Sequence, residues 1–135
     1  MQAPFRHSET LRWNDADLQG VVNNSIYLTL FEQARFSYFR SLGILDSDHF
    51  PFLLGSTSVR FERPLRAGDP VQIETRTTRL GGASFDMSYQ ILREEERVAS
   101  GSATLVWVDD DEKSVRIPDP VRERLRGFEG PNLED

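Results

Sequence analysis

Residues 24–42 read NSIYLTLFEQARFSYFRSL, nineteen positions without Gly or Pro, followed at once by Gly43. Tyr27, Phe31, Ala34, Tyr38 and Leu42 recur three or four apart, which is the spacing of one face of an α-helix. The spacing therefore predicts a helix over 24–42, about 28 Å long, that ends at Gly43. Its apolar residues overflow a single stripe: Ile26, Leu28, Leu30, Phe36 and Phe39 lie off the first face, and Glu32, Gln33, Arg35 and Arg40 are the polar minority. A helix so apolar is expected to be covered on more than one side.

Working outward, the period changes from 3.6 to 2. Residues 71–79 (VQIETRTTR) put Val71, Ile73, Thr75 and Thr77 on one side, and residues 84–93 (SFDMSYQILR) do the same with Phe85, Met87, Tyr89 and Ile91. Both patterns are those of half-buried strands, and LGGA at 80–83 reads as the hairpin turn between them. A further strand, about 98–108, aligns Ala99, Gly101, Ala103, Leu105 and Trp107; its three small residues in a row predict a face that a helix approaches closely. Earlier, TSVRFERP (57–64) turns Val59 and Phe61 inward before Pro64 and the turn AGDP, and an N-terminal strand is expected over roughly Ser8–Trp13. One long helix early and a curled antiparallel meander after it define an α+β domain.

The bulk composition limits what such a domain does. With 135 residues the chain is long enough for one core, and a single domain over 1–135 is expected. A net charge of −6 argues against nucleic-acid binding, whose affinity is driven by cations. Fifteen of the sixteen basic residues are Arg, a fork that matches phosphate oxygens, although genome composition produces the same bias. The absence of cysteine excludes disulfides, thiolate metal sites and a Cys nucleophile. No apolar run approaches the ~20 residues that span a bilayer, and MQAPFRHSET lacks the marks of a signal peptide, so no membrane partner and a cytoplasmic location are expected.

Immediately before the helix stands NDADLQGVVNNSIY (14–27), with Asp15 and Asp17 one residue apart, then Gly20, Val21, Val22, Asn23 and Asn24. An Asp at such a place is ordinarily a cap or turn former. Asp15 reads as a surface or backbone-bonding residue, and Gly20 as a loop glycine with positive φ. Asn24 reads either as the helix N-cap or as a side-chain amide that orients water or a carbonyl. Tyr27, in the first turn, is either core or the wall of a pocket, and Glu32 needs a partner such as Arg35 if it faces inward. No third acid or neighbouring His completes a metal-ligand set around the Asp pair, so neither a metal nor any other cofactor is expected. His7 and His49 match no motif position.

These residues carry a family resemblance. Arg12, Trp13, Asp15, Asp17, Gly20, Val22, Asn23, Asn24 and Tyr27, then Glu32, Ala34 and Arg35, resemble the R-W-x-D-x-D-x-x-G-H-V-N-N-x-x-Y and E-x-A-R blocks of the 4-hydroxybenzoyl-CoA thioesterase-like branch of hotdog-fold acyl-CoA thioesterases. VRFERPLRAGDPVQIETRTTRLGGASF and RIPDPVRERL are similar to its later blocks, so the likeness runs over roughly residues 9–127. One departure stands out: the histidines that the family carries after the glycine or at the second Asn are Val21 and Asn24 here.

The resemblance implies a hotdog fold, a curled antiparallel sheet wrapped around one long central helix, and an acyl-CoA thioesterase. Thioester hydrolysis needs a nucleophile or a base, and donors aimed at the carbonyl oxygen. The resemblance assigns the first role to Asp17 and the second to the backbone of Gly20, Val21 and Val22 at the positive end of the helix dipole, with Asn24 beside them. It implies Tyr27 as acyl-pocket lining, Arg60, Arg63 and Arg66 as candidates for CoA phosphates, and Ser56, Thr57 and Ser84 as contacts from a neighbouring subunit. It also implies a homodimer paired edge to edge, or a homotetramer. CoA and acyl carrier protein are both open as the thioester carrier. Two other functions stay open on the residues alone: a non-catalytic acyl-CoA-binding module, which does not need the acid, and a thioester dehydratase or hydratase, which needs a well-placed His.

Overall fold

The computed structural model describes residues 4–17, 19–45 and 49–135. Five strands, β1 (Phe5–Thr10), β2 (Phe52–Phe61), β3 (Pro70–Leu80), β4 (Ser84–Arg93) and β5 (Glu96–Trp107), form one sheet in the order β1-β3-β4-β5-β2, with every neighbouring pair antiparallel. Helix α1 (Asn24–Ser41) follows β1, and a second helix, α2 (Asp119–Glu129), follows β5. The period-2 readings hold residue by residue. Val71, Ile73, Thr75 and Thr77 of β3 and Phe85, Met87, Tyr89 and Ile91 of β4 are all buried.

Helix α1 lies across that buried face. Phe31 stacks on Tyr89 at 4.5 Å, Phe39 meets Phe85 at 5.6 Å, and the Thr77 hydroxyl donates to the Tyr38 oxygen at 2.9 Å. Gly101 makes the approach possible. A Cβ there would stand 2.7 Å from Phe31 Cζ and 2.6 Å from the Ser58 carbonyl oxygen, so the small-residue stripe of β5 is the seat of the helix. The helix stops as its sequence predicts. Gly43 has φ +69°, its N–H donates to the Arg40 carbonyl at 3.0 Å, and the Ile44 N–H donates to the Phe39 carbonyl at 3.2 Å, a Schellman closure.

Four expectations need correction. Among the described residues there are two α-helices, not one. Pro118 and Pro120 punctuate the start of α2, yet Pro is at home in the first helical turn, and Val121 and Leu125 then bury one side. Strand β1 lies earlier than expected, because Trp13–Asp15 form a 3₁₀ turn and Trp13 is 83% exposed. Phe61 is also substantially exposed, although its ring meets Tyr27 edge-on at 4.8 Å. Finally, α1 is buried along one side of a single chain: Leu28, Glu32, Gln33 and Arg40 are exposed.

Among the described residues neither edge of the sheet pairs with a further strand, and the two edges differ in kind. Edge strand β1 carries Arg6, His7 and Glu9, charges of the sort that blunt an edge. His7 bridges inward, its ring nitrogens 3.0 Å from Ser37 Oγ and 2.8 Å from Glu9 Oε1, and so ties β1 to the middle of α1. Mid-helix backbone offers no free N–H to hold an oxyanion, so this Ser–His–Glu row serves as a strut. Edge strand β2 is ten residues long and shows Leu53, Leu54 and Phe61 to solvent.

Candidate active site

The loop between β1 and α1 is built by its own side chains. Asp15 is buried, accepts from the Arg12 N–H at 2.8 Å, and its carbonyl takes the Asn23 N–H at 2.9 Å; its role is to hold the backbone. Asn23 is the N-cap of α1, accepting from the Ser25 N–H at 3.0 Å. Asn24, one position later, is thus the first helical residue and not the cap. Its own N–H has no intrahelical acceptor.

Asp17 is exposed, and its carboxylate Oδ1 accepts from the Gln19 N–H at 2.8 Å and the Val21 N–H at 3.1 Å. Gly20, at φ +78°, allows the loop to turn back, and its N–H donates to the Asp17 carbonyl at 2.9 Å. The Val22 N–H is taken by the Leu65 carbonyl at 2.7 Å. Of the three backbone donors the sequence singles out, the Val21 N–H is therefore the one held by the candidate catalytic acid itself. Acid, loop amides and the positive end of α1 occupy one corner of the molecule.

A cleft of about 280 Å³ opens beside this corner, lined by Val21, Val22, Asn24, Tyr27, Phe61 and Arg63 among others. Burial raises the Tyr27 hydroxyl above the usual phenol range, as befits a ring that forms part of the wall. Arg63 stands at the rim, paired with Glu96 at 2.6 Å, and Arg97 pairs with Glu62 at 2.9 Å. Arg66 lies close by, its backbone bridged to Val21.

The remaining candidates lie elsewhere. Arg60 faces the outer side of the sheet, in a groove with Ser58, Ser88, Gln90 and Ser102, away from the helix. Ser56 is exposed on β2, and the Thr57 hydroxyl donates to the Ser102 carbonyl at 2.9 Å. Ser84 begins β4, opposite Val106, and its hydroxyl accepts from Arg79 at 2.9 Å. Nine residue steps, about 30 Å, separate it from the Arg93 end of that strand, where Arg93 donates to the Pro64 carbonyl. Within one chain, Asp17, Gly20, Val21, Val22, Asn24, Tyr27 and Arg63 come together, whereas Arg60 and Ser84 do not join them.

One residue that sequence reasoning treated only as a possible partner for Glu32 is placed with purpose. Arg35 is 6% exposed, and its Nη1 donates to the Tyr89 hydroxyl at 2.7 Å. Glu32 stays exposed, and the contact that Arg35 makes among the described residues is the one to Tyr89. Among the described residues, no group of three His, Cys, Asp or Glu is arranged to hold a metal ion.

Residues 11–125 match the thioesterase-like superfamily, from the last residues before the Asp15–Asp17 loop to the middle of α2. The chain belongs to that superfamily. It is a thioester hydrolase of the hotdog acyl-CoA thioesterase type. A thioesterase from Thermus thermophilus, solved with coenzyme A and zinc, is 34% identical, superposes with a TM-score of 0.83, and is matched over 93% of this chain and 94% of its own. The chloroplastic acyl-acyl carrier protein thioesterase ATL3 of Arabidopsis thaliana is 27% identical over 130 residues, 90% of this chain and 68% of that protein. The acyl-CoA thioester hydrolase YbgC of Escherichia coli is 26% identical over 106 residues, covering 76% of this chain and 79% of its own. In this superfamily member, no helix among the described residues is long and apolar enough to cross a membrane.

Proposed function

We propose that the chain hydrolyses acyl-CoA thioesters, with Asp17 as nucleophile or general base. The observation that carries this reading is the Val21 N–H: Val21 lines the cleft, and its N–H holds the Asp17 carboxylate at 3.1 Å. When Asp17 turns toward a bound thioester, that N–H becomes available to the carbonyl oxygen. The unmatched N–H of Asn24 and the α1 dipole stand beside it. Donors so placed stabilise the oxyanion more than the ground-state carbonyl. In the nucleophilic route, the carboxylate adds to the carbonyl carbon, the C–S bond breaks, CoA leaves as thiolate, and water hydrolyses the acyl anhydride. In the base route, Asp17 takes a proton from water as its oxygen adds to the carbonyl carbon, the C–S bond then breaks to give the free acid, and CoA leaves as thiolate or takes up the proton held on Asp17.

The same reading has two copies paired through β2. An isologous antiparallel pairing of these edges sets the Phe52 end of one copy beside the Phe61 end of the other. Ser84 shares the Phe52 end, since Ser84 and Leu53 both pair with Val106. Pairing therefore brings the end bearing Ser84 of one copy toward the end bearing Asp17 of the other, with Ser56 near the middle of the paired strands. The exposed Leu53, Leu54 and Phe61 support such a contact, and it covers the outer flank of α1. In this reading the protein is one domain over 1–135, a homodimer or a pair of dimers, acting in the cytoplasm. Arg63 and Arg66 receive the CoA phosphates at the rim, and Tyr27 and Thr57 line the acyl path.

The test is release of free CoA from short, medium, long and aromatic acyl-CoAs by wild type and Asp17→Asn. Hydrolysis by wild type that the variant loses, with ligand affinity retained, supports the reading. Unchanged turnover in the variant removes Asp17 from the chemistry, and inactivity of wild type across the panel favours an acyl-CoA-binding module.

A further inference from the structure

Arg35 has five N–H donors and, among the described residues, one hydrogen-bond partner, the neutral hydroxyl of Tyr89 at 2.7 Å. It is nevertheless nine-tenths buried. A guanidinium taken out of water is normally matched by a carboxylate or by a full set of acceptors. Arg35 borders a cleft of about 120 Å³, whose walls also include Leu28, Phe31, Glu32, Leu54 and Thr57. That cleft is in line with the one beside Asp17. Both run between α1 and β2, the first bounded by Asn24, Tyr27 and Phe61, the second by Leu28, Phe31, Arg35, Leu54 and Thr57. Asn24 and Arg35 are eleven residues apart, about 16 Å along the helix.

We infer that Arg35 selects acyl groups bearing a hydroxyl at their distal end. The inference rests on the function proposed above, since it takes the acyl carbonyl to lie at the start of α1. From there an acyl chain follows the apolar wall of Tyr27, Leu28 and Phe31 and ends at Arg35. A hydroxyl at that end accepts from the guanidinium and donates to the Glu32 carboxylate, which borders the same cleft. A plain hydrocarbon end leaves both groups as they are and displaces their water. Sites built to hydrogen-bond a substrate hydroxyl discriminate strongly against the analogue that lacks it.

The test compares omega-hydroxyoctanoyl-CoA with octanoyl-CoA on wild type, Arg35→Met and Arg35→Lys, and measures binding of the two corresponding non-hydrolysable CoA thioethers by calorimetry. The expected result is a wild-type kcat/KM ratio of about tenfold or more in favour of the hydroxylated substrate. The ratio should fall to near unity in Arg35→Met and be partly kept in Arg35→Lys, whichever way the absolute rates move. A wild-type ratio at or below unity overturns the inference. So does an Arg35→Met variant that slows both substrates equally and falls apart into monomers, which would make Arg35 the mate of an acid across the subunit contact. If Arg35→Met does not fold, the wild-type ratio decides alone. If neither substrate is hydrolysed, the proposed function fails, while the thioether affinities still judge Arg35.

Discussion

Phe31 of α1 rests on the bare backbone of Gly101 in β5, closer than any side chain at that position would permit. The contact sets the distance between helix and sheet, and with it the depth of the cleft that Phe31 borders. Gly101→Ala forces the ring and the Ser58 carbonyl apart, and overpacking of this kind costs about 1–3 kcal/mol. A clear drop in the thermal midpoint followed by circular dichroism is expected; an unchanged midpoint would show that the helix seats elsewhere.

Asp17 is a loop former as well as the candidate acid, which makes the choice of substitution decisive. Asn keeps an oxygen that can accept from the Gln19 and Val21 N–H groups, so Asp17→Asn is expected to fold as wild type yet lose roughly a thousandfold or more in kcat. Asp17→Ala should lose stability in addition, and comparing the melting curves of the two variants separates the roles.

The paired asparagines divide cap from site. Asn23→Ala removes the acceptor for the Ser25 N–H and should cost about 1 kcal/mol of stability in urea unfolding. Asn24→Ala removes no cap and should leave the urea midpoint nearly unchanged; it keeps the backbone N–H, so a fall in turnover would report on the side-chain amide of a residue that lines the cleft. The reverse pattern would transfer the catalytic assignment.

All three tyrosines, Tyr27, Tyr38 and Tyr89, are buried, and burial pushes each hydroxyl above the usual phenol range. For Tyr38 the Glu129 carboxylate, which accepts from it at 2.5 Å, adds to the effect. A folded-state pKa above the unfolded one means that the native state keeps protons the unfolded chain gives up. The resulting stability is fully present below about pH 10 and is lost progressively above it. Phenolate absorbance during an alkaline titration should therefore appear together with the loss of near-ultraviolet dichroism. Phenolate signal while the fold is intact would contradict it. Tyr38→Phe should reduce the alkaline sensitivity, at the expense of the bond to Glu129.

If β2 pairs with its own copy, light scattering should give twice the 15.5 kDa chain mass. Leu53→Lys, on the exposed part of that edge, should shift the population toward single chains. Turnover should fall with it, because the path along α1 then loses one wall. A wild type that runs as a monomer with full activity would defeat the shared site.

Strands β3, β4 and β5 were legible in the sequence because each buries one face with a period of two that breaks only locally, as at the register shifts after Thr77 and Ile91, whereas in β2 Phe52 alone is fully buried. Helix α1 was legible for the same reason, and Gly43 marked its end. Strand β1 was misplaced because apolar Trp13 resembles a strand residue, whereas capping by Asp15 makes it part of a turn. Helix α2 escaped because Pro118 and Pro120 read as breakers when one of them opens the helix. Asp17 was picked out by resemblance, since composition and spacing alone make it a turn former. Burial of Arg35 was not legible at all: a cation among the polar minority of an apolar helix looks like a solvent-side residue until Tyr89 is seen beneath it.

The register of β2 against β5 slips between Leu54 and Ser56, at Gly55. Such a slip bends the strand and breaks the even row of amide groups on its free side as well. An incoming strand would then meet two regular stretches, Phe52–Leu54 and Ser56–Phe61, on either side of the irregularity. Related chains whose irregularity sits one residue away would meet this edge with every side chain turned to the wrong face. If two copies pair through β2, the slip at Gly55 ties the register of that pair to one position in the sequence.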